Sequence, residues 1–328
     1  MCDNHLIFWN ARSLNNRARR NVVRTIVSQQ RASIVCLQET KIANFSVPLN
    51  CDVTGTDFDY CSLPAVGASG GAVSSWRRDL WDVSSTEVRR FSITLRLSSG
   101  TAAPWCLTNV YGPVERSDKR VFLQELRDVR ASCPDPWMVC GDFNLIYQAA
   151  DKNNGRLHRG LMRAFRGVID DLQLQELHLQ GRLFTWSNGR ESPTLERLDR
   201  ALASQGWVAM FPNHQLRSLS SDSSDHAPLI LVLNAQPWHV PRFRFEQAWT
   251  KLPGFLDVVA AAWGPPCPDV DACKCLDIKL RALAKALRSW RAARVGAITL
   301  QPGSSSTSWT SRRRLERCLL RTVNYIAS

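Results

Sequence analysis

The sequence has no apolar stretch approaching the roughly 18 to 20 residues that a membrane-spanning helix requires; the late run Pro228 to Leu233 is far shorter. Its start, MCDNHLIFWN, lacks the basic opening and following apolar segment of a secretory leader. Cysteines number 11 in 328 residues, yet none forms a CxxC, and Cys36 (SIVCLQ) and Cys140 (WMVCGD) sit inside apolar runs. An odd count without that spacing argues against a disulfide framework or a zinc ribbon and fits a reducing compartment. Acidic residues are the scarcer charge, 29 against 42 basic ones, for a formal net charge of +13. That excess favours polyanionic partners, nucleic acid among them. With 44% hydrophobic and 22% charged residues, disorder throughout is excluded.

The positive charge is unevenly placed. Residues 1–236 carry 27 basic and 23 acidic side chains, whereas 237–328 carry 15 and 6. The first 235 residues alternate short β-rich apolar runs with helical-period stretches, the pattern of a layered α/β domain. Strands are expected over His5–Asn10, Ser33–Gln38, Gly71–Trp76, Ser92–Leu97, Trp105–Tyr111, Trp137–Cys140, Leu183–Ser187 and Leu229–Leu233. Helices are expected over Asn16–Gln30, Ser117–Ser132 and Gly160–Leu172. A Pro-punctuated connector, NAQPWHVP, marks a boundary near Asn234–Pro241. Beyond it, Phe245–Trp263 and Leu276–Arg294 read as helix, the second with a Leu276, Leu280, Leu283, Leu287 stripe opposite Lys279, Lys285, Arg288 and Arg291. Gly296–Ser311 reads as a flexible linker before a short basic run. The expected organisation is therefore a domain over 1–235, a basic helical region over 236–295 and a poorly ordered tail over 296–328.

Polar residues able to bind a metal or move a proton recur where the predicted strands end. They are Asn10 after LIFW, Glu39 after IVCLQ, Tyr111 after CLTNV, Asp142 and Asn144 in WMVCGDFN, Asp199 in ERLDR, and Ser224, Asp225 and His226 before PLILVL. Layered sheets present ligand sites at such ends, although turns are polar in any case. Carboxylates and carboxamides are hard oxygen donors that suit Mg²⁺ or Mn²⁺ rather than zinc.

The ordered motifs WNARSL, QET, NVYGP, GDFN, RLDR and SDHAPL resemble the endonuclease/exonuclease/phosphatase superfamily, which includes DNase I and the apurinic/apyrimidinic endonucleases. The resemblance covers about residues 5 to 235. FTWSN (Phe184 to Asn188) and FRFEQAW (Phe243 to Trp249) make it most similar to the endonuclease of plant non-LTR (LINE-type) retrotransposons. The resemblance implies a four-layer α/β sandwich, two packed β-sheets flanked by helices as in DNase I, followed here by a helical C-terminal tail. It implies Mg²⁺-dependent hydrolytic nicking of one DNA strand, with Mn²⁺ able to substitute, leaving 5′-phosphate and 3′-hydroxyl ends. Glu39 would be the main metal ligand, with Asn10 and Asp225 near the same ion. Asp142 would orient or deprotonate water, Asn144 would hold the nucleophile or a phosphate oxygen, and Tyr111 would donate to the phosphate. His226, paired with Asp199, would sit protonated against the scissile phosphate, and Ser224 would support its loop. A hairpin from Phe184 to Arg197 would probe the DNA, with Trp186, Asn188 and Arg197 as substrate contacts. Trp186 and Trp207 near Arg182, Arg190, Arg197 and Arg200 form a mixture able to stack on bases and reach phosphates.

One departure stands out. Many apurinic/apyrimidinic endonucleases carry an acid two positions after the strand-end Asn, and here that position is Arg12, which cannot ligate a second metal. No reverse-transcriptase YxDD motif is present, so the expectation is a truncated or domesticated element acting in the nucleus. A basic tail able to hold RNA belongs to the same expectation. The rival readings are an inactive nucleic-acid-binding remnant and a superfamily phosphatase or phosphodiesterase acting on a phosphoinositide, sphingomyelin or poly(A). Gly67–Gly71, GASGG, matches a nucleophile elbow, but the strand-like AVSSW that follows argues for a turn feeding a sheet. The Asn44 sequon is idle without a leader, and Cys273 and Cys275 form a CxC with no neighbouring His. The remaining histidines, His5, His158, His178, His214 and His239, sit in no motif.

Overall fold

Two side-chain periods account for the layers. A computed structural model describes residues 4–67, 69–235, 253–264, 266 and 272–298. In strand β1 (His5–Asn10), Leu6 and Phe8 enter one apolar cluster while Ile7 and Trp9 enter another. Strand β2 (Ala32–Gln38) repeats the division, Ile34 and Cys36 on one face and Val35 and Leu37 on the other. Strands buried on both faces read as unbroken apolar runs, which is why the sequence shows these so clearly.

The first mixed sheet has seven strands in the order β10 (Leu179–Gln180), β14 (Gln215–Ser218), β15 (Leu229–Val232), β1, β2, β4 (Ser69–Arg77) and β3 (Phe58–Val66). The second has six: β5 (Asp82–Val88), β6 (Ser92–Ser98), β7 (Trp105–Tyr111), β8 (Trp137–Asp142), β13 (Asp199–Ala203) and β9 (Gln175–Glu176). Between them lies a core that includes Leu6, Phe8, Ile34, Leu95, Leu107, Met138 and, from the short helix α5 (Gln205–Met210), Trp207. On the outer face of the first sheet, Val23 and Val27 of α1 (Arg17–Gln29) and Val53 of α2 (Val47–Val53) pack on Ile7, Trp9 and Val35. On the other side, α3 (Lys119–Ser132) and α4 (Arg159–Asp171) bury Phe122, Leu126, Val129, Phe165 and Ile169 against Val110, Trp137 and Val139. The fold is a four-layer α/β sandwich.

Each sheet has a central parallel pair joined through a helix, β1–α1–β2 and β7–α3–β8, and the short β10 and β14 at the edge of the first sheet are parallel as well. Parallel neighbours end at the same edge, so each crossover delivers two strand C-termini side by side. Asn16 caps α1 by accepting from the Ala18 amide.

Several expectations need correction. Leu183–Ser187 pairs as a strand only at β11 (Trp186–Ser187), against β12 (Leu195–Glu196), because that ladder closes after two residue pairs. Strands β3 and β5 were not expected. They are edge strands with much exposed surface, so polar residues break up their apolar pattern. GASGG lies at the β3–β4 hairpin, where Val66 pairs with Ser69 and Gly67 takes φ +63°, so it is a turn and not a nucleophile elbow.

The chain divides into two compact units, Met1–Trp238 and His239–Ser328. In the second, α6 (Phe255–Trp263) and α7 (Ala272–Ile298) share a small core of Phe255, Val258, Val259, Leu283, Leu287 and Trp290. Leu276 and Leu280 of the expected stripe are half exposed, and α7 runs through Gly296 into what was read as linker. Phe245–Leu252 of the other expected helix, the FRFEQAW motif and the tail beyond Ile298 lie outside the described residues. Cys275 is disulfide-bonded, a departure from the reduced state expected of the cysteines. Cys36, Cys51, Cys61, Cys106, Cys133 and Cys140 are free. No helix among the described residues is long and apolar enough to cross a membrane.

Gly141 tests the β7–β8 contact. It takes φ +133°, and a Cβ there would lie 2.2 Å from the Val110 carbonyl oxygen. Gly141→Ala should therefore destabilise the protein by about 3 kcal/mol, the cost of backbone strain plus overpacking. Urea unfolding measures this, and an unchanged midpoint would contradict the packing described.

Candidate active site

The period of two that builds the core also assembles the site. On the inner faces, β1 reads Leu6, Phe8, Asn10; β8 reads Met138, Cys140, Asp142; and β13, followed backwards, reads Ala203, Ala201, Asp199. Each register ends in a polar residue, and these ends meet at one edge of the sandwich. Asn10 Nδ2 donates to Asp142 Oδ2 across the two sheets at 2.9 Å. One layer deeper, Gln38 Nε2 donates to Asn109 Oδ1 at 2.6 Å, and Asn109 Nδ2 donates to Ser74 Oγ at 3.1 Å.

Asp142, Asp199 and His226 form the buried centre, 0%, 1% and 5% exposed. His226 Nδ1 donates to Asp199 Oδ2 at 2.8 Å, and its Nε2 lies 3.8 Å from Asp142 Oδ2. Burial alone would lower the imidazole's pKa, but Asp199, Asp142 and Asp225 together lift it to about 9. Asp142 is pushed up to about 6, chiefly by desolvation, with His226 and the amide donors Asn10 and Asn144 opposing the rise. At neutral pH the imidazole is a cation between two carboxylates.

The loop carrying His226 is held from several directions. Ser224 Oγ donates to the Asn10 carbonyl at 2.8 Å and accepts from the His226 amide at 3.1 Å. Trp9 Nε1 donates to the His226 carbonyl at 2.9 Å. The FTWSN segment joins in: Thr185 Oγ1 accepts from the Asp199 amide at 3.0 Å, and Trp186 Nε1 donates to Asp225 Oδ2 at 3.0 Å. Thr185, which sequence reasoning passed over, thus fixes Asp199, and Trp186 has its indole N–H committed to the site wall. The cue was available, since FTWSN precedes RLDR by a short turn.

Glu39 and Asn144 both follow strands in the left-handed region, at φ +53° and +50°. Such strain in non-glycine residues collects at functional sites. Asn144 is locked there because its amide donates to Asp142 Oδ1 at 2.9 Å, its Nδ2 to the Gly112 carbonyl at 2.8 Å, and Lys119 Nζ to its carbonyl at 2.6 Å. Glu39 pairs with Lys41 at 3.1 Å. The Tyr111 phenol is driven well above its ordinary pKa by burial and by the charges of Glu39, Asp142 and Asp225, and it hydrogen-bonds Glu39. The phenol is therefore a donor throughout the physiological range, surrounded by the carboxylates named for the site.

Three expected nucleic-acid contacts are committed elsewhere, and a fourth, Asn188, is half-buried with its amide oxygen engaged. Trp207 is fully buried in the inter-sheet core and cannot stack on a base. Arg200 is fully buried in ion pairs with Asp151 and Glu176, so it cannot reach a phosphate. Arg197 shares Glu176 at 2.8 Å with its side chain 16% exposed, so its charge is already engaged. Asn188 closes the β11–β12 hairpin, its Oδ1 accepting from the Thr194 amide at 3.0 Å. The carboxylates that engage the two arginines, Asp151 and Glu176, lie outside the RLDR motif that suggested their role.

Residues 7–226 match the endonuclease/exonuclease/phosphatase family. The chain belongs to this family. An exodeoxyribonuclease of Bacillus subtilis is 25% identical over 261 residues, spanning 70% of this chain and 99% of that protein. The recombination repair protein 1 of Drosophila melanogaster is 24% identical over 250 residues, and the match covers 69% of this chain but 36% of that protein. Among solved structures, the endonuclease domain of TRAS1, a telomere-specific non-LTR retrotransposon, superposes with a TM-score of 0.55 at 16% identity, covering 71% of this chain and 99% of that one. The AP endonuclease LMAP of Leishmania major gives 0.58 at 15% identity, covering 71% and 88%. These structures share the fold.

The raised pKa of His226 has a thermodynamic consequence. Its folded value of about 9 exceeds the unfolded 6.5, so the native state binds the extra proton. The resulting stabilisation, roughly 3 kcal/mol, is complete below pH 6.5 and is lost as pH rises towards 9. In EDTA, unfolding free energies of wild type should fall across that window relative to His226→Gln. Parallel pH profiles for the two proteins would contradict the buried ion pair.

Proposed function

We propose that this chain is a Mg²⁺-dependent DNA endonuclease that nicks one strand, of LINE-type retrotransposon origin. The observation that carries the reading is the buried Asp142–His226–Asp199 group flanked by Asn10 and Asn144. A carboxylate with a pKa of about 6 is ionised at neutral pH yet basic enough to accept a proton from an attacking water. The imidazolium, oriented by Asp199, supplies positive charge and an N–H where a phosphoryl oxygen gains charge. Asn144 and Tyr111 add neutral donors around the same space. Water attack with loss of the 3′-oxygen leaves 5′-phosphate and 3′-hydroxyl ends.

The densest donor cluster among the described residues is Asp142, Asp199 and His226, with ligand atoms within 4.8 Å of one another. The imidazolium already offsets one of its two carboxylate charges, and His226 Nδ1 is occupied by Asp199. Glu39 and Asp225, whose charges both act on Tyr111, together with the side-chain oxygen of Asn10, make the more fitting set for a hard divalent cation, since all are oxygen donors. These three would hold Mg²⁺, or Mn²⁺ in its place, which supplies charge neutralisation for the phosphate and the leaving oxygen. Arg12, 3.2 Å from Asp225, stands as a cation beside this set and not as a further ligand. That supports a single-ion arrangement. A DNA substrate accords with the names of the curated relatives and with the net positive charge, and nuclear action follows from that substrate.

Conversion of supercoiled plasmid to open circle tests the reading. Nicking should require Mg²⁺, stop with EDTA, and fall at least about 100-fold in Asp142→Ala and in His226→Ala, the scale of a lost acid–base group. A folded wild type that binds DNA but does not nick it over a range of Mg²⁺ and Mn²⁺ would leave the binding remnant as the correct reading. Suppression of nicking by excess inositol phosphate would favour a headgroup substrate instead.

A further inference from the structure

Against the His226 side of the site lies a cavity of about 300 Å³ whose lining includes Arg12, Arg182, Ser187, Asn188, Ser224 and Asp225. Arg12 enters it from a left-handed backbone, φ +54°, two residues beyond β1. Its guanidinium lies 3.2 Å from Asp225 Oδ2 with the side chain 53% exposed. That carboxylate oxygen also accepts the Trp186 indole N–H at 3.0 Å, so it has a donor without Arg12. Arg182 is exposed and has no ion pair among the described residues. The His226 charge is met by Asp199 and Asp142, so the charges facing this space are two guanidiniums, of which Arg12 alone has a carboxylate partner, Asp225.

Arg182 brings a charge with no ion-pair partner among the described residues to a space that Arg12 also lines, and an anion bound there would be attracted by both. A guanidinium presents a planar fork of donors that matches phosphate oxygens two at a time, and Arg12 spends one edge on Asp225. The Ser187 hydroxyl, which accepts from the Gly189 amide, and the amide nitrogen of Asn188, whose oxygen accepts from Thr194, add neutral donors. The cavity also includes His226 itself, so an anion held here would lie next to the one undergoing reaction. We propose that this cavity binds a second phosphate of the substrate strand, adjacent to the scissile one, with Arg12 and Arg182 as its charge partners. This rests on the phosphodiesterase reading above and deepens it: the site selects a continuing polynucleotide backbone over an isolated diester.

The test separates a flanking contact from a role in the chemistry. Arg12→Gln, Arg182→Gln and the double variant are compared with wild type on plasmid DNA and on bis(p-nitrophenyl) phosphate, a diester with no neighbouring phosphate. Arg182→Gln should lose at least about threefold in kcat/KM on DNA and stay within twofold on the small diester, and the double variant should lose at least about tenfold on DNA, with Arg12→Lys recovering part of that loss. Oligonucleotide binding in EDTA, followed by fluorescence anisotropy against salt, should show a slope of log affinity on log salt reduced by about 0.7 to 0.9 for each arginine removed. Equal losses on both substrates, or an unchanged salt slope, would overturn the proposal. If wild type cleaves neither substrate, the nuclease reading fails by itself, and the salt slope still decides whether the cavity holds a backbone phosphate.

Discussion

Burying Asp142 and Asp199 side by side requires a cation between them, and the architecture of the site follows from supplying it. Each carboxylate ends the inner-face register of an adjacent antiparallel strand, paired directly as Asp199 with Asp142. Left alone, two desolvated carboxylates so placed would repel, and one would protonate. The imidazole of His226 resolves this by bonding Asp199 through one nitrogen and facing Asp142 with the other. Keeping it there engages Trp9, Ser224 and the Thr185–Trp186 segment, which is why residues far apart in the chain converge on one loop. The Asn144 amide then satisfies Oδ1 of Asp142, and Asn10 donates to Oδ2, the oxygen that faces the imidazole.

The sandwich makes this arrangement possible. A strand buried on both faces has no freedom of register, because a slip by one residue would turn its inner and outer apolar sets the wrong way round. The polar residue ending each strand is thereby delivered to the sheet edge with a defined side-chain direction. The Asn10–Asp142 bond joins the two sheets at that edge, and the Gln38–Asn109 bond joins them one layer in. Chemistry and packing are thus set by one alternation.

That alternation explains what could be read in advance. β1, β2, β7 and β8 stood out because both faces are apolar, and their terminal Asn10, Glu39, Tyr111 and Asp142 could be picked out as strand-end polar residues. Edge strands β3 and β5 were hidden because exposed positions carry no required pattern. The arginines near RLDR misled for a related reason. A guanidinium's destination depends on carboxylates such as Asp151 and Glu176, which no local window associates with Arg200. Trp207 gave no local sign that it would be enclosed by both sheets. The role of Thr185 is likewise a tertiary one, since a hydroxyl accepting the Asp199 amide leaves no periodic trace.

The claim on which the account turns is that His226 is an imidazolium held between two carboxylates at neutral pH. Nitrogen-detected or long-range ¹H–¹⁵N NMR of the histidine rings at pH 7.5, assigned through His226→Gln, reads this state directly. The account predicts two protonated ring nitrogens for His226, with a strongly hydrogen-bonded Nδ1 proton, and loss of the second proton only as pH approaches 9. A neutral ring at pH 7.5, with one nitrogen bare, would contradict it.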